Sequence, residues 1–417
     1  MKKILFLVML LTVFICTSTV LVSCGMNDDE NMPEGEMAMP LMSSIISFEN
    51  VLGAKDFVQS GLFVGVGSAE VNMPVVLPGQ SISFKFHAGR GQALMLTTMY
   101  GASKDWFFAP DNPGIMLYKE DGMPMTGDVS KYIKLWDNGT KKGTTDTKED
   151  ANIMMVSGVE ASKLMKLELS YKAPTSEFEL TLTNTSGGSM NETPFSPGAW
   201  VISNVMGGNL LNSMPFYKAG AKANPEITAI AEMGNTVPMG KKITENTGIL
   251  TGISPILIVV YSGNRNPIYE VGKKDAGIGL KNLAQTGDVT RLKTALEKMP
   301  EVRGVYVAGK APIGPGEKVE IAFEFAKNDR IAYATMFGYS NDWFYANESV
   351  IDAMYKGDVT SKTALFDNGT AVDQYPGAGN GQALFKGMSE KEDMEIKKVG
   401  DMYPVPVVNK VLKINIR

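Results

Sequence analysis

"VEIAFEFAKNDRIAYATMFGYSNDWF", Val319–Phe344, decides how this chain folds. Val319, Ile321, Phe323 and Phe325 alternate with Glu320, Ala322 and Glu324, the mark of a strand with one wet face. "RIAYATMF" reads as a second strand, and Lys327 to Arg330 as the turn between them. The reading is a hairpin with Ala326 opposite Ile331. That register places Asp342 opposite Pro315 and Ser340 opposite Glu317. The Pro315-Gly316-Glu317 loop and the Asp342-Trp343-Phe344 loop then share one end of the sheet. Glu324 pairs with Tyr333, too far back along a strand rising about 3.3 Å per residue to join Asp342. His87, the only histidine, aligns with Glu324 and is set aside with it as a strand-surface residue.

The end of this stretch occurs twice. "SNDWFYANESVI" (Ser340–Ile351) matches "SKDWFFAPDNPGI" (Ser103–Ile115). With Asp105 on Asp342, Thr98-Met99 falls on Thr335-Met336, Gly101 on Gly338, and Pro78-Gly79 on Pro315-Gly316. "GDVSKYIKLWDNGT" (Gly127–Thr140) matches "GDVTSKTALFDNGT" (Gly357–Thr370). A second pair lies between these. "SPGAWVISNV" from Ser196 resembles "SPILIVVYSG" from Ser254, and the segment from Pro215 resembles that from Pro267. If the aspartate-bearing piece is the back half, the order is back, front, front, back. Residues 249–417 form one unit in front-to-back order. Residues 45–246 are then its circular permutation, which is tolerated where termini lie close together. The rival account has three units, two of them truncated, with Ile45–Val76 a degenerate front half.

"SISFKFHA", "FELTLTN", "KLMKLELSY" and "NKVLKINI" also alternate, and Gly, Pro and Asn punctuate them. Helix signals are few. In "GDVTRLKTALEKMP" Asp288 can cap, Val289, Leu292, Leu296 and Met299 share a face, and Pro300 stops the helix. The expected fold class is all-β: antiparallel β-sandwich domains with one or two short helices each.

The 417 residues are 44% hydrophobic and 20% charged, with net charge −5, which argues against a nucleic-acid partner. Residues 1–23 read as a secretory signal: Lys2 and Lys3, an apolar core, then Leu21-Val22-Ser23. With Cys24 this end resembles a bacterial lipobox, which implies cleavage before Cys24 and lipidation of its thiol. Lipid at Cys24 would be the one membrane attachment. Cys16 leaves with the signal, so no disulfide is expected. Residues 24–44, acidic and without periodicity, read as a flexible tether. Acids directly behind the cysteine resemble the surface-export signal of Bacteroidota lipoproteins, which implies an outer-membrane, cell-surface location. The alternative is a linker without an address. The 27 methionines fit core filling.

Asp342 stands against Trp343 and Phe344, and "LFDNGT" puts Asp367 at the end of another strand. Two carboxylates, loop carbonyls and Glu317 or Asp373 would make an oxygen-only site of the kind calcium accepts. In this reading the tryptophans anchor loops so that Asp105 and Asp342 point at an ion. In the plainer reading each aspartate caps its own turn.

S-N-D-W-F, G-D-V-T and F-D-N-G-T, after a front half of S-P…L-A-x-x-G-D type, resemble a spondin domain. The resemblance covers the second unit nearly whole and the first in permuted pieces. It implies a β-sandwich like those of calcium-dependent lipid-binding modules and an extracellular adhesion role. By position it implies calcium ligands at Asp342 and Asp367, and at Asp105 and Asp137 in the first unit. Animal members often carry a further acid shortly after G-T. Asp373 follows Thr370, but Lys141 and Lys142 follow Thr140, and Gln80 stands where the second unit has Glu317. Both departures weaken the first site.

No G-x-S-x-G, H-E-x-x-H or P-loop pattern occurs, and one histidine leaves few nucleophile–base pairs. The expectation is a non-enzymatic, calcium-dependent binding or adhesion module whose partner is an extracellular protein or glycan. Two alternatives stay open. One is a glycan-binding lipoprotein of a nutrient-uptake system, with Trp200, Tyr217 and Tyr269 as an exposed platform. The other is a scaffold that binds nothing.

Overall fold

The computed structural model describes residues 40–71 and 73–417. The signal segment, Cys24 and most of the tether lie outside the described residues. Among those described, no helix is long and apolar enough to cross a membrane.

The chain enters through β1 (Met42–Asn50). Then come β2 (Phe57–Phe63), β3 (Ser81–His87), β4 (Ala93–Tyr100), β5 (Trp106–Pro110) and β6 (Ile133–Asp137). They are followed by β7 (Met165–Lys172), β8 (Glu177–Asn184), β9 (Phe195–Ser203), α1 (Pro225–Met233) and α2 (Val237–Glu245). The remainder holds β10 (Ile256–Tyr261), α3 (Leu280–Thr286), α4 (Thr290–Leu296), β11 (Val302–Ala308) and β12 (Lys318–Phe325). It ends with β13 (Arg330–Met336), β14 (Trp343–Asn347), β15 (Thr363–Asp367) and β16 (Leu412–Ile416).

These strands make two antiparallel β-sandwiches. In one, β2-β9-β4-β5-β6 faces β3-β8-β7; in the other, β11-β10-β13-β14-β15 faces β12-β1-β16. Phe86, Phe178, Leu94 and Trp200 fill the first interior, and Phe48, Phe323, Ile258 and Tyr333 the second. The outer face of each larger sheet is covered by its helix pair. Ile227, Ile230, Met239 and Ile243 of α1 and α2 pack on Met95 and Val201, while Leu280, Leu283, Leu292 and Leu296 of α3 and α4 pack on Val259 and Ala332. That is why Ile256–Tyr261 is apolar throughout and wholly buried, whereas Lys318–Phe325 alternates. Asn224 caps α1 by accepting the Ile227 N–H at 2.9 Å, Pro225 opens it, and Gly234 at φ 62° closes it.

The two sandwiches correspond strand for strand, with a permuted chain order. β8 and β7 of the first match β1 and β16 of the second. In the first, residues 185–194 join β8 directly to β9. In the second, the connection from β1 to β10 is the entire first sandwich. The first sandwich is therefore an insertion in the second, and we call them the inserted and outer domains. The reading that began the first unit at residue 45 is corrected: β1 pairs with β12 and β16. Its partner strands lie near the far end of the sequence, and nothing in its own pattern names them. Met42–Ser44, read as tether, also belongs to β1.

The hairpin reading is corrected too. β12 pairs with β1, and β13 with β10 and β14, so Ala326–Asp329 carries the chain from one sheet to the other. β13 is buried on both faces and suits only the helix-covered sheet. Asp329 fixes the crossing: it accepts the Ala326 N–H at 2.7 Å and pairs with Arg303.

The ends of the inserted domain meet. Gly248 N–H donates to Phe57 O at 2.9 Å, and Asn204 Nδ2 donates to both Lys55 O and Gly248 O. Adjacent ends allow insertion without distortion. His87 is no strand-surface residue. It sits half-buried where the domains meet, its ring stacked on Tyr375 at 5.2 Å.

Candidate metal centre

β14 and β15 pair so that Trp343 lies opposite Asp367; β5 and β6 pair so that Trp106 lies opposite Asp137. Asp342 and Asp105 immediately precede the tryptophans. In both domains a serine, not the aspartate, caps the turn. Ser340 Oγ accepts the Trp343 N–H at 3.0 Å, and Ser103 Oγ accepts that of Trp106 at 2.8 Å. The aspartate is thereby free to reach the neighbouring loop.

In the outer domain Asp342 Oδ2 accepts the Thr370 N–H at 2.7 Å and the Thr370 hydroxyl at 2.8 Å. Asp367 Oδ1 accepts the Gly369 N–H at 2.7 Å, closing the Asn-Gly turn. Asp373 Oδ1 accepts the Trp343 indole N–H at 2.6 Å. Asp342, Asp367 and Asp373 each direct a carboxylate oxygen to one place, and those oxygens lie within 4.8 Å of one another. Asp342 is 0% exposed and Asp367 1%. Asp342 Oδ1 and Asp367 Oδ2 are buried without a hydrogen-bond partner. Lys397 Nζ stands 3.3 Å from Asp367 Oδ2, an ion pair outside hydrogen-bond geometry. One ammonium against three carboxylates leaves the cluster negative. Burial first, and the neighbouring Asp367 second, push the Asp342 carboxyl up to about 7. Burial, then Asp367 and Asp342, push Asp373 up to about 7. Mutual repulsion in such a cluster is relieved either by protons, which neutralise carboxylates, or by a bound cation, which lets them ionise.

Glu317 is not part of it. Its Oε2 accepts the Gly314 N–H at 2.7 Å, capping its own loop. The hairpin that would bring it opposite Ser340 and near Asp342 does not form.

The inserted domain has the same frame without the cluster. Asp105 Oδ2 accepts from Thr140 N, Thr140 Oγ1 and Lys141 N, at 2.7 to 3.2 Å. Asp137 uses both oxygens, Oδ1 for the Gly139 N–H and Oδ2 for the Trp106 indole N–H at 3.1 Å. No acid stands in for Asp373, so the indole takes Asp137 Oδ2, whose counterpart on Asp367 faces Lys397. Asp105 Oδ1 alone is unpartnered. Asp105 and Asp137 therefore do not form a comparable site. Among the described residues, the outer-domain trio is the one such group found.

The three aromatics set out as a glycan platform are spent on packing. Trp200 is 7% exposed and stacks on Phe84 at 5.0 Å. Tyr217 is buried with its hydroxyl on Pro110 O, and Tyr269 packs on Phe344 and Phe366.

No protein-family model matches the chain, and a search of curated proteins finds no match.

Proposed function

We propose that this protein is a lipid-anchored, calcium-dependent binding or adhesion module of the bacterial outer membrane, facing the cell exterior. Its ion is held by Asp342, Asp367 and Asp373 of the outer domain. The observation that carries this reading is the convergence of three carboxylates, with Asp342 Oδ1 buried and unpartnered and Asp367 Oδ2 met only by the Lys397 ammonium. An all-oxygen, irregular, loop-built site suits calcium better than zinc or copper. The resemblance to spondin domains and the Leu-Val-Ser-Cys24 motif supply the adhesion and anchoring parts. The role is non-catalytic, and the partner is an extracellular protein or glycan. The inserted domain serves as the ion-free second module.

The test is thermal melting of residues 41–417, one compact unit, in calcium and in chelator. At a hundredfold excess over Kd, an ion bound only to the native state adds about 2.7 kcal/mol. The expected upward shift disappears in Asp367→Ala and stays in Asp137→Ala. A wild-type melt unmoved by millimolar calcium rejects the reading.

A further inference from the structure

Asp373 opens a loop that the outer domain lays across the inserted one. Its neighbour Gln374 donates its N–H to Asn341 Oδ1 at 3.1 Å, the residue before Asp342. Gln374 Nε2 reaches Pro174 O of the inserted domain at 3.0 Å. Tyr375 stacks on His87. Gly377 O accepts the buried Gln92 Nε2 at 2.9 Å, and Asn380 N–H donates to Ser176 Oγ at 2.9 Å. Phe385 closes over Gly89, where any Cβ would strike its ring. The two covalent crossings between the domains, residues 51–56 and 246–250, run side by side and are tied at Phe57 and Gly248. Both crossings lie beside the start of β2 and the end of β9. The 373–387 loop grips the turns after β3 and β7, which belong to the opposite sheet.

We propose that a divalent cation at Asp342, Asp367 and Asp373 is the latch of this strap, so that the ion fixes the inserted domain against the outer one. The inference rests on the metal reading above and adds its consequence. Without the ion, three converging carboxylates repel. The Trp343 indole is the one hydrogen bond on the Asp373 side chain. The next residue carries the contacts to Asn341 and Pro174, so displacement of Asp373 is felt at the docking surface. With the ion bound, Asp373 is held and the strap with it. The coupling is reciprocal: whatever undocks the strap must weaken the ion by the same factor.

The test uses residues 41–417, which contain no native cysteine. Spin labels on Glu168→Cys in β7 and Lys413→Cys in β16 report the distance between domains. Calorimetry on the unlabelled protein reports calcium binding. The expected result is one narrow distance distribution in calcium and a broader, longer one in chelator. Gly89→Ala, remote from the carboxylates, is expected to broaden the calcium distribution and to weaken calcium about fivefold or more. Tyr375→Ala, which removes the stack on His87, does the same if Gly89→Ala does not fold. Identical distributions with and without calcium, while calorimetry registers the ion, overturn the latch and leave the metal site standing. Absence of any calcium binding overturns both.

Discussion

Asp342 Oδ2 accepts both the N–H and the hydroxyl of Thr370, while its Oδ1 stays buried with no hydrogen-bond partner. One half of the carboxylate ties the loop before β14 to the loop after β15. The other half faces Asp367 and Asp373. A single side chain thus both builds the site and loads it with charge.

Asp342→Asn separates these two roles. The amide oxygen can still accept from Thr370, and its nitrogen can donate towards the other carboxylates. In chelator the variant is expected to be more stable than the parent by about 1 kcal/mol, roughly 3 °C in Tm. In calcium it is expected to be less stable, because a ligand charge is gone. Melts in both conditions check this crossing of order; a variant less stable in both would show that repulsion is not what Asp342 contributes.

Proton release follows from the same cluster. Asp342 and Asp373 titrate near 7 in the folded protein and near about 4 in the unfolded chain. Between those values the folded state holds protons the unfolded chain has lost. Stability in chelator therefore falls as pH rises from about 4 through about 7, then levels. Calcium must displace the same protons, so its affinity rises over that window. Calorimetry in buffers of different ionisation heat should register proton release near about pH 6 and almost none by about pH 9. A calcium affinity independent of pH would contradict it.

The sequence was most legible where one strand face is wet. Lys318–Phe325 and Glu177–Asn184 alternate visibly, and the all-β sandwich class follows from such segments. Strands buried on both faces carry no such period, so nothing in Arg330–Met336 itself names β10 and β14 as its neighbours. Helix α4 was readable from Leu292 and Leu296. Helix α1 also carries its end signals in the sequence, Asn224-Pro225 and Gly234. At the site, Asp342, Asp367 and Asp373 were all candidates from sequence, and the structure brings the three together. The place of Glu317 depends on strand pairing, which its local sequence does not specify. The loss of the matching site at Asp105 and Asp137 shows in Lys141 and Lys142. The reassignment of the Trp106 indole to Asp137 does not, since hydrogen-bond choice depends on which acids are in reach.

Trp200, a platform candidate only under the glycan-binding alternative, has a core role. Its indole stacks on Phe84 and lies tilted on Phe86, and a Cβ on Gly61 would come within 2.7 Å of it. Trp200→Ala is expected to cost about 3–5 kcal/mol, and Gly61→Ala about 1–3 kcal/mol through overpacking. Calorimetric scans should show the loss in the inserted domain's transition. Soluble Trp200→Ala with unchanged stability would return this residue to the surface.

The splice between the domains is closed by Asn50. Its Nδ2 donates to Thr251 O at 3.0 Å and Ile313 O at 3.1 Å, and its Oδ1 accepts the Leu52 N–H. Asn184 does the same at the matching point of the inserted domain, donating to Thr193 O at 2.7 Å and Val76 O at 2.9 Å and accepting the Ser186 N–H. Asn50→Ala leaves the Thr251 carbonyl without its partner, while Ile313 O still accepts the Ile253 N–H, and is expected to cost about 1–3 kcal/mol, confined to the outer domain. The equivalence reaches further. Since residues 185–192 span from Asn184 to Thr193, the same short loop placed between Asn50 and Thr251 should bridge the outer domain with the inserted one removed. That shortened protein is expected to fold cooperatively and, because Asp342, Asp367 and Asp373 all belong to the outer domain, still to shift with calcium, but by less than the parent, since the strap has nothing to dock on. Failure to fold despite intact Asn50 contacts would show that the outer domain depends on its insertion for more than continuity of the chain.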